Sequence, residues 1–237
     1  MSSYDAQVKR ELARWEKKLL AGTGFVEKLS RNIQQKIDSY IPAKVHNTIC
    51  KALELGIKSI LGGINLIPVN TAKLQQTSQK NLAELDREVD IIAKRYKKLA
   101  AVTGAGTGWG GILSLAVDYP ALISLELKML QEIAQAFGYD IRDKKERLYI
   151  LKVFLLAFSA DESRKKTYLE LISQDCRDLD WQELYWEYKE RVEFKKMLQI
   201  LPGFGAVIGA WANYGLIDDL AGTARNCYRL RYFKHHP

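Results

Sequence analysis

Five glycines between positions 104 and 111, in the stretch TGAGTGWGG, are the first residues of this sequence whose spacing could do chemistry. Gly106, Gly108 and Gly111 fit the pattern G-x-G-x-x-G, which in a βαβ unit brings backbone N–H groups close to a pyrophosphate. That chemistry needs a strand before the glycines. Here Leu82, Leu85, Val89, Ile92, Tyr96 and Leu99 precede them at steps of three and four, the period of an amphipathic helix. The Lys-Ser/Thr that would complete a P-loop is also missing. A structural role is the stronger reading. An interior helical glycine costs about 1 kcal/mol relative to alanine, so a run of them needs compensation. Close packing supplies it: Gly104 and Gly108, and likewise Gly106 and Gly110, lie four apart and form grooves that another helix can enter. Gly205 and Gly209, with Ala206 and Ala210, repeat the spacing near the C-terminus and are the expected partners. Ala52 and Gly56, followed by Gly62 and Gly63, form a third small-residue segment. The competing account is a flexible loop over 103–111.

Other reactive groups are sparse. His46 is the one histidine in the body of the chain, and PAKVHNTIC offers it no activating partner. Cys50, Cys176 and Cys227 are too far apart for a CxxC site, and their odd number fits a reducing compartment better than a disulfide framework. HExxH, paired zinc ligands and an EF-hand loop are absent, so neither metal nor cofactor is expected. The polar residues that stand out are Asp118, Asn213 and Asp219, set among apolar stretches, with Arg147 and Arg225 as cations able to balance them and Lys152 and Arg229 as further candidates. A buried carboxylate must be paired. These residues therefore form either a polar pocket between the glycine-bearing helices or ordinary caps and ion pairs.

The elements that would position them read as helices throughout. Asp118 is a candidate N-cap for a helix running to Gly138, with Pro120 in its first turn where a missing N–H does no harm. Asp143 and Glu146 form an Asp-led capping box ahead of RLYILKVFLLAF, which reads as helix because leucine and phenylalanine outnumber β-branched residues. Asp161 and Asp180 are candidate caps for two more polar helices, ESRKKTYLELIS and WQELYWEYKERVEFKKML. Pro202 and Gly203 break the chain before a final apolar helix. With no linker and no fixed-period repeat, the chain reads as one compact all-α, multi-helix domain over 1–237. It combines basic amphipathic helices over 1–100 with an apolar, glycine-bearing, closely packed core over 101–158 and 203–232.

Charge is uneven. Residues before 100 carry 18 lysines and arginines against 10 acids, which accounts for the whole net charge of +8. Such a surface attracts the phosphates of nucleic acid or of anionic lipid. Basic residues interspersed with acids, and the lack of a helix-turn-helix or RNA-binding signature, argue against nucleic acid. The start of the chain lacks the apolar core of a signal peptide, which fits an intracellular protein. Segments 99–117 and 197–217 carry no charge and approach the ~20 residues of a spanning helix. Glycine, serine and threonine in the first, and Gln199, Pro202 and Asn213 in the second, make a helical core the better expectation than insertion. The segment FVEKLSRNIQQKIDSYI is amphipathic: it reads either as an ordinary domain helix that packs its apolar stripe inward or as a helix that lies on an anionic bilayer, with Lys17, Lys18, Lys28 and Lys36 as membrane-contact cations.

The chain resembles the EcsC family of bacterial proteins over nearly its whole length. The residues that carry the resemblance are VKRELARWEKKLL near the start, GAGTGWGGILSLAVDYPALISLELKMLQEIAQAFGYD and ERLYIL in the middle, and PGFGAVIGAWANYGLIDDLAGTARNCYRLRYF at the end. The resemblance implies an intracellular helical protein, from a family named after an operon that also encodes an ABC transporter. It carries no reaction and no catalytic residues. The expectation is a non-enzymatic accessory protein at the cytoplasmic face of the inner membrane, meeting either anionic lipid or a membrane-embedded transport or secretion partner. The alternative is an enzyme or small-ligand binder that uses the polar pocket.

Overall fold

A computed structural model describes residues 2–21, 43–64, 67–69, 71–77, 80–107, 111–159, 161–173, 187–188 and 205–236. Among them are eight labelled helices and no strand: α1 (Ser3–Leu20), α2 (Ala43–Leu61), α3 (Thr71–Thr77), α4 (Leu82–Thr107), α5 (Gly111–Ala136), α6 (Lys144–Phe158), α7 (Asp161–Ser173) and α8 (Gly205–His235). The expected all-α class holds.

The axis of the fold is the pair α4 and α8, which pack more extensively than any other two described helices. Cross-links fix their direction. Asp86 meets Arg229, Asp90 meets Arg225 and Lys97 meets Asp218. As the number rises along α4 it falls along α8, so the helices are antiparallel. Leu82, Leu85, Val89, Ile92 and Tyr96 are buried as their spacing predicts. Leu99 departs from that expectation at 46% exposure, while its neighbour Ala100 is fully buried. The reason is geometric: steps of three and four that average about 3.4 residues fall steadily behind a 3.6-residue turn, and by Leu99 the stripe has rotated off the core face.

The glycine run has no strand in front of it. Residues 103–107 form the last turn of α4 and Gly111 begins α5, whereas Gly108 and Gly110 lie outside the described residues. Gly205 and Gly209 fall in the opening turns of α8. The register set by the cross-links puts Gly104, which is buried, level with Trp211. Close approach through a small residue is resolved atom by atom at Gly56 of α2, where an added Cβ would sit 2.7 Å from Leu127 Cδ1 on α5.

The expected start of the following helix needs correction. Asp118 is not an N-cap: α5 begins at Gly111, and Pro120 lies inside it. An internal proline forfeits one backbone hydrogen bond and strains the preceding turn, at about 3 kcal/mol. Burial of Tyr119, Leu122 and Ile123 around it offsets that cost. The other end is as expected. Gly138 takes φ +84°, its N–H bonds Gln135 O, and Tyr139 N–H bonds Ala134 O, the paired bonds of a Schellman stop.

The central rod α6 is buried on nearly every side, from Leu148 to Phe158. Asp143 caps it by accepting from Lys145 N–H. Glu146 does not close the expected box, because it turns inward to α8. Tyr188 stacks on Phe154 at 5.3 Å and donates to Glu126 Oε2 at 3.0 Å, locking α5 to α6. The helix expected around WQELYWEYKERVEFKKML and its cap Asp180 otherwise lie outside the described residues, as does FVEKLSRNIQQKIDSYI with Lys28 and Lys36.

Candidate functional site: a cationic cleft beside a buried ion lattice

The last turns of α8 spread their polar groups over several faces. Arg225 and Arg229, four apart, reach α4. Arg229 binds Asp86 through two nitrogens at 2.9 Å each, and its other amine reaches Glu11 at 3.3 Å. Tyr4 of α1 donates to the same Asp86 at 2.8 Å, so three helices share one buried carboxylate. The capping box of Ser2 and Asp5 starts α1 at the point that delivers Tyr4 there.

Tyr228 and Arg231, three apart, reach α6 instead. Arg231 pairs with Glu146 at 2.7 Å, and Tyr228 donates its hydroxyl to the other Glu146 oxygen. The Arg231 guanidinium lies 3.6 Å from the Tyr139 ring centre and 4.1 Å from that of Tyr149. Cation–π contact of this kind strengthens when water is excluded. Burial pushes the Glu146 carboxyl up against the pull of Arg231 and of the Tyr228 hydroxyl. Burial also drives the Tyr149 and Tyr228 phenols far above their ordinary range. Neither phenol is a proton source near neutral pH, which leaves Glu146 as the group of this cluster that titrates on the acid side.

Beside the lattice lies a cleft of about 310 Å³ between α6, α7 and α8. Tyr149, Tyr168, Leu171, Leu230 and Phe233 give it apolar walls, and Arg231 and Lys234 supply positive charge. Trp15 meets Tyr168 edge-on at 6.0 Å, and Lys9 sits 4.9 Å from the Phe233 ring centre. Tyr168 donates to Glu16 at 2.8 Å, tying α1 to the same wall.

The residues singled out from sequence do not gather at one place. Arg147 donates to the Arg142 carbonyl and to Leu61 O at 3.4 Å, closing the C-terminal end of α2. Arg225 pairs with Asp90. Asn213 is buried whereas Asp219 is exposed, on different sides of α8. Asp118 lies within α5, and its side chain is outside the described set. Lys17 and Lys18 are exposed near the end of α1. Among the described residues no cluster of His, Cys, Asp and Glu could hold a metal ion.

Sequence reading missed Glu146, Tyr228, Arg231 and Lys234 as a group. One available signal was a carboxylate inside a helix apolar nearly all round, opposite a Tyr-x-x-Arg pair that shares a helix face.

At the other end of the α4–α8 pair the surface is apolar. Val102 is 71% exposed and Trp211 63%, with Leu99 and Tyr214 also open to solvent. Lys94 and Lys98 stand exposed on the same stretch of α4. Lys97 lies 4.9 Å from the Tyr214 ring centre and bonds Asp218, which holds its ammonium above the ordinary lysine range. Among the described residues no helix is long and apolar enough to cross a membrane.

A profile of the EcsC protein family matches residues 6–233. The chain belongs to the EcsC family. It is similar to Protein EcsC of Bacillus subtilis (strain 168), 33% identical over 227 residues, covering 95% of this chain and 94% of that one. It is also similar to the uncharacterized protein YdbA of the same organism, 33% identical over 249 residues, covering 94% of this chain and 90% of the relative. No solved structure matches. The EcsC match takes in Asp86, Glu146, Arg229 and Arg231, and it ends one residue before Lys234.

Proposed function

We propose that this EcsC-family chain is a non-enzymatic accessory protein that rests on the cytoplasmic face of a membrane, beside or upon a membrane-embedded transport partner. The observation that carries this reading is the end of the α4–α8 pair where Leu99, Val102, Trp211 and Tyr214 face solvent beside Lys94 and Lys98. Tryptophan and tyrosine are the side chains that settle at headgroup depth, and lysines beside them add about 1 kcal/mol each toward an anionic surface. Burying the apolar groups contributes roughly 25 cal/mol per Å². Lys17 and Lys18, both exposed without a carboxylate partner among the described residues, add a second basic face on α1.

Flotation with neutral and anionic vesicles tests the proposal. Binding is expected to anionic vesicles, weakening as salt shortens the screening length to about 3 Å at 1 M. Trp211→Ser with Tyr214→Ser should abolish it, and Lys94→Glu with Lys98→Glu should reduce its salt dependence. Lys17→Glu with Lys18→Glu separates the contribution of α1. Binding indifferent to lipid charge, salt and all of these changes would sink the reading.

A further inference from the structure

We infer that the cleft between α6, α7 and α8 is a binding site for a single-chain amphiphilic anion, with the chain against Leu171, Leu230 and Phe233 and the anionic head at Lys234 and Lys9. This goes beyond the membrane reading and uses the opposite end of the α4–α8 pair.

The volume is about 310 Å³, at the small end of the ~300–1,000 Å³ of ligand pockets. At roughly 30 Å³ per water-sized group it has room for about ten of them. Its walls are mostly apolar, with few polar groups, as a site for a chain rather than a sugar or nucleotide requires.

Charge selects the head. The carboxylates that approach this region among the described residues are already engaged: Glu146 by Arg231 and Tyr228, Glu16 by Tyr168, Glu170 by Lys152 at 2.6 Å, and Asp5, one turn before Lys9, by the Ser2 N–H at 2.8 Å. The two lysines are not so engaged. Lys234 touches the Ile172 carbonyl at 3.3 Å, Lys9 lies over the Phe233 ring, and neither meets a carboxylate among the described residues. Arg231 Nε, on the cleft wall, is a donor without an acceptor among the described residues. Positive charge is therefore left over beside an apolar hollow, and an apolar body carrying one anion complements both. A neutral alcohol of equal length would fill the hollow and leave the ammonium groups as they are. Inorganic phosphate would meet the ammonium groups and leave the hollow empty.

Calorimetric titration of the full chain below the micelle concentration tests this, with decanoate, decyl phosphate, decanol and inorganic phosphate as probes. Decanoate or decyl phosphate should bind saturably at one site, and comparing the two distinguishes a free carboxylate from a phosphate-headed lipid as the head. Decanol should bind about tenfold more weakly, the scale of one charge-assisted hydrogen bond, and inorganic phosphate not measurably. Lys234→Gln should weaken the anion about tenfold and leave decanol unchanged. Leu230→Trp should block both, with Ile172→Phe as a second filling variant if the first fails to fold by circular dichroism. Equal binding of decanol and decanoate, no saturable anion binding, or an unchanged affinity in Lys234→Gln would each overturn the assignment.

Discussion

Where Asp86 meets Arg229, α4 and α8 hold each other through buried charges whose hydrogen bonds are shared with α1. About 24 Å further along α4, at a rise of 1.5 Å per residue, the same two helices end in small residues beside exposed Val102 and Trp211. One end has directional bonds to specific partners, which fix a unique arrangement. The other has apolar surface that chooses no partner by geometry and gains by leaving water. Directional bonding is concentrated at the first end, where contact is confined to the cleft, and an open apolar face at the second. Substitutions should therefore trade stability against binding in opposite proportions at the two ends.

The largest effect on stability is expected at the first end. Asp86→Ala leaves the Arg229 guanidinium buried without its main counter-charge, and breaking a buried pair from one side costs about 3–5 kcal/mol. Chemical denaturation measures it. Arg229→Met with Asp86→Leu should recover much of the loss, because an apolar pair of similar volume restores packing without desolvated charge. A loss under 1 kcal/mol for Asp86→Ala would show that the lattice is not what sets this end apart.

Much of this contrast is legible in the sequence, but unevenly. Helical period, the glycine stop at Gly138 and the cap at Asp143 are local signals, and they read correctly. Pro120 misled because a local rule places proline at a helix start, whereas burial of Tyr119 and Leu122 carries α5 straight through it. Glu146 misled for a related reason. Its spacing from Asp143 satisfies a capping box, yet Arg231 and Tyr228, more than 80 positions away, offer it a stronger set of donors. The cleft is less legible still, since its walls come from three helices and its charge from lysines that look like ordinary surface residues. Long-range pairing is a property of the packed chain, and no window of neighbouring residues contains it.

Glu146 sharpens the comparison through pH. Burial raises its folded-state pKa above that of the unfolded chain, so between those two values the native state holds the proton more tightly. Stability should fall as pH rises through that window and level off above it. Glu146→Gln should remove the slope. At neutral pH it should cost well under the loss expected for Asp86→Ala, because the neutral amide avoids the carboxylate's desolvation and Arg231 keeps its contacts with Tyr139 and Tyr149. Melting across an acid-to-neutral series checks both statements. A smaller loss, about 0.5–1.5 kcal/mol, is expected for Glu170→Gln, where the amide still accepts from buried Lys152 and the site is partly open to water.

The smallest stability effect belongs to the exposed end, and there the comparison is most easily broken. Leu99→Ser, Val102→Ser, Trp211→Ser and Tyr214→Ser remove side chains that water already reaches, so each should move stability by no more than about 0.5 kcal/mol. The set should nevertheless eliminate vesicle flotation, since it removes the apolar surface that a bilayer would cover. Asp86→Ala, assayed under conditions where it remains folded, should float as the unaltered chain does. If the serine set melts several kcal/mol lower, those residues are core covered from both sides, and the two ends do not differ in kind. If it melts normally and still floats, the contact lies elsewhere, and the basic face of α1 at Lys17 and Lys18 is the next surface to remove.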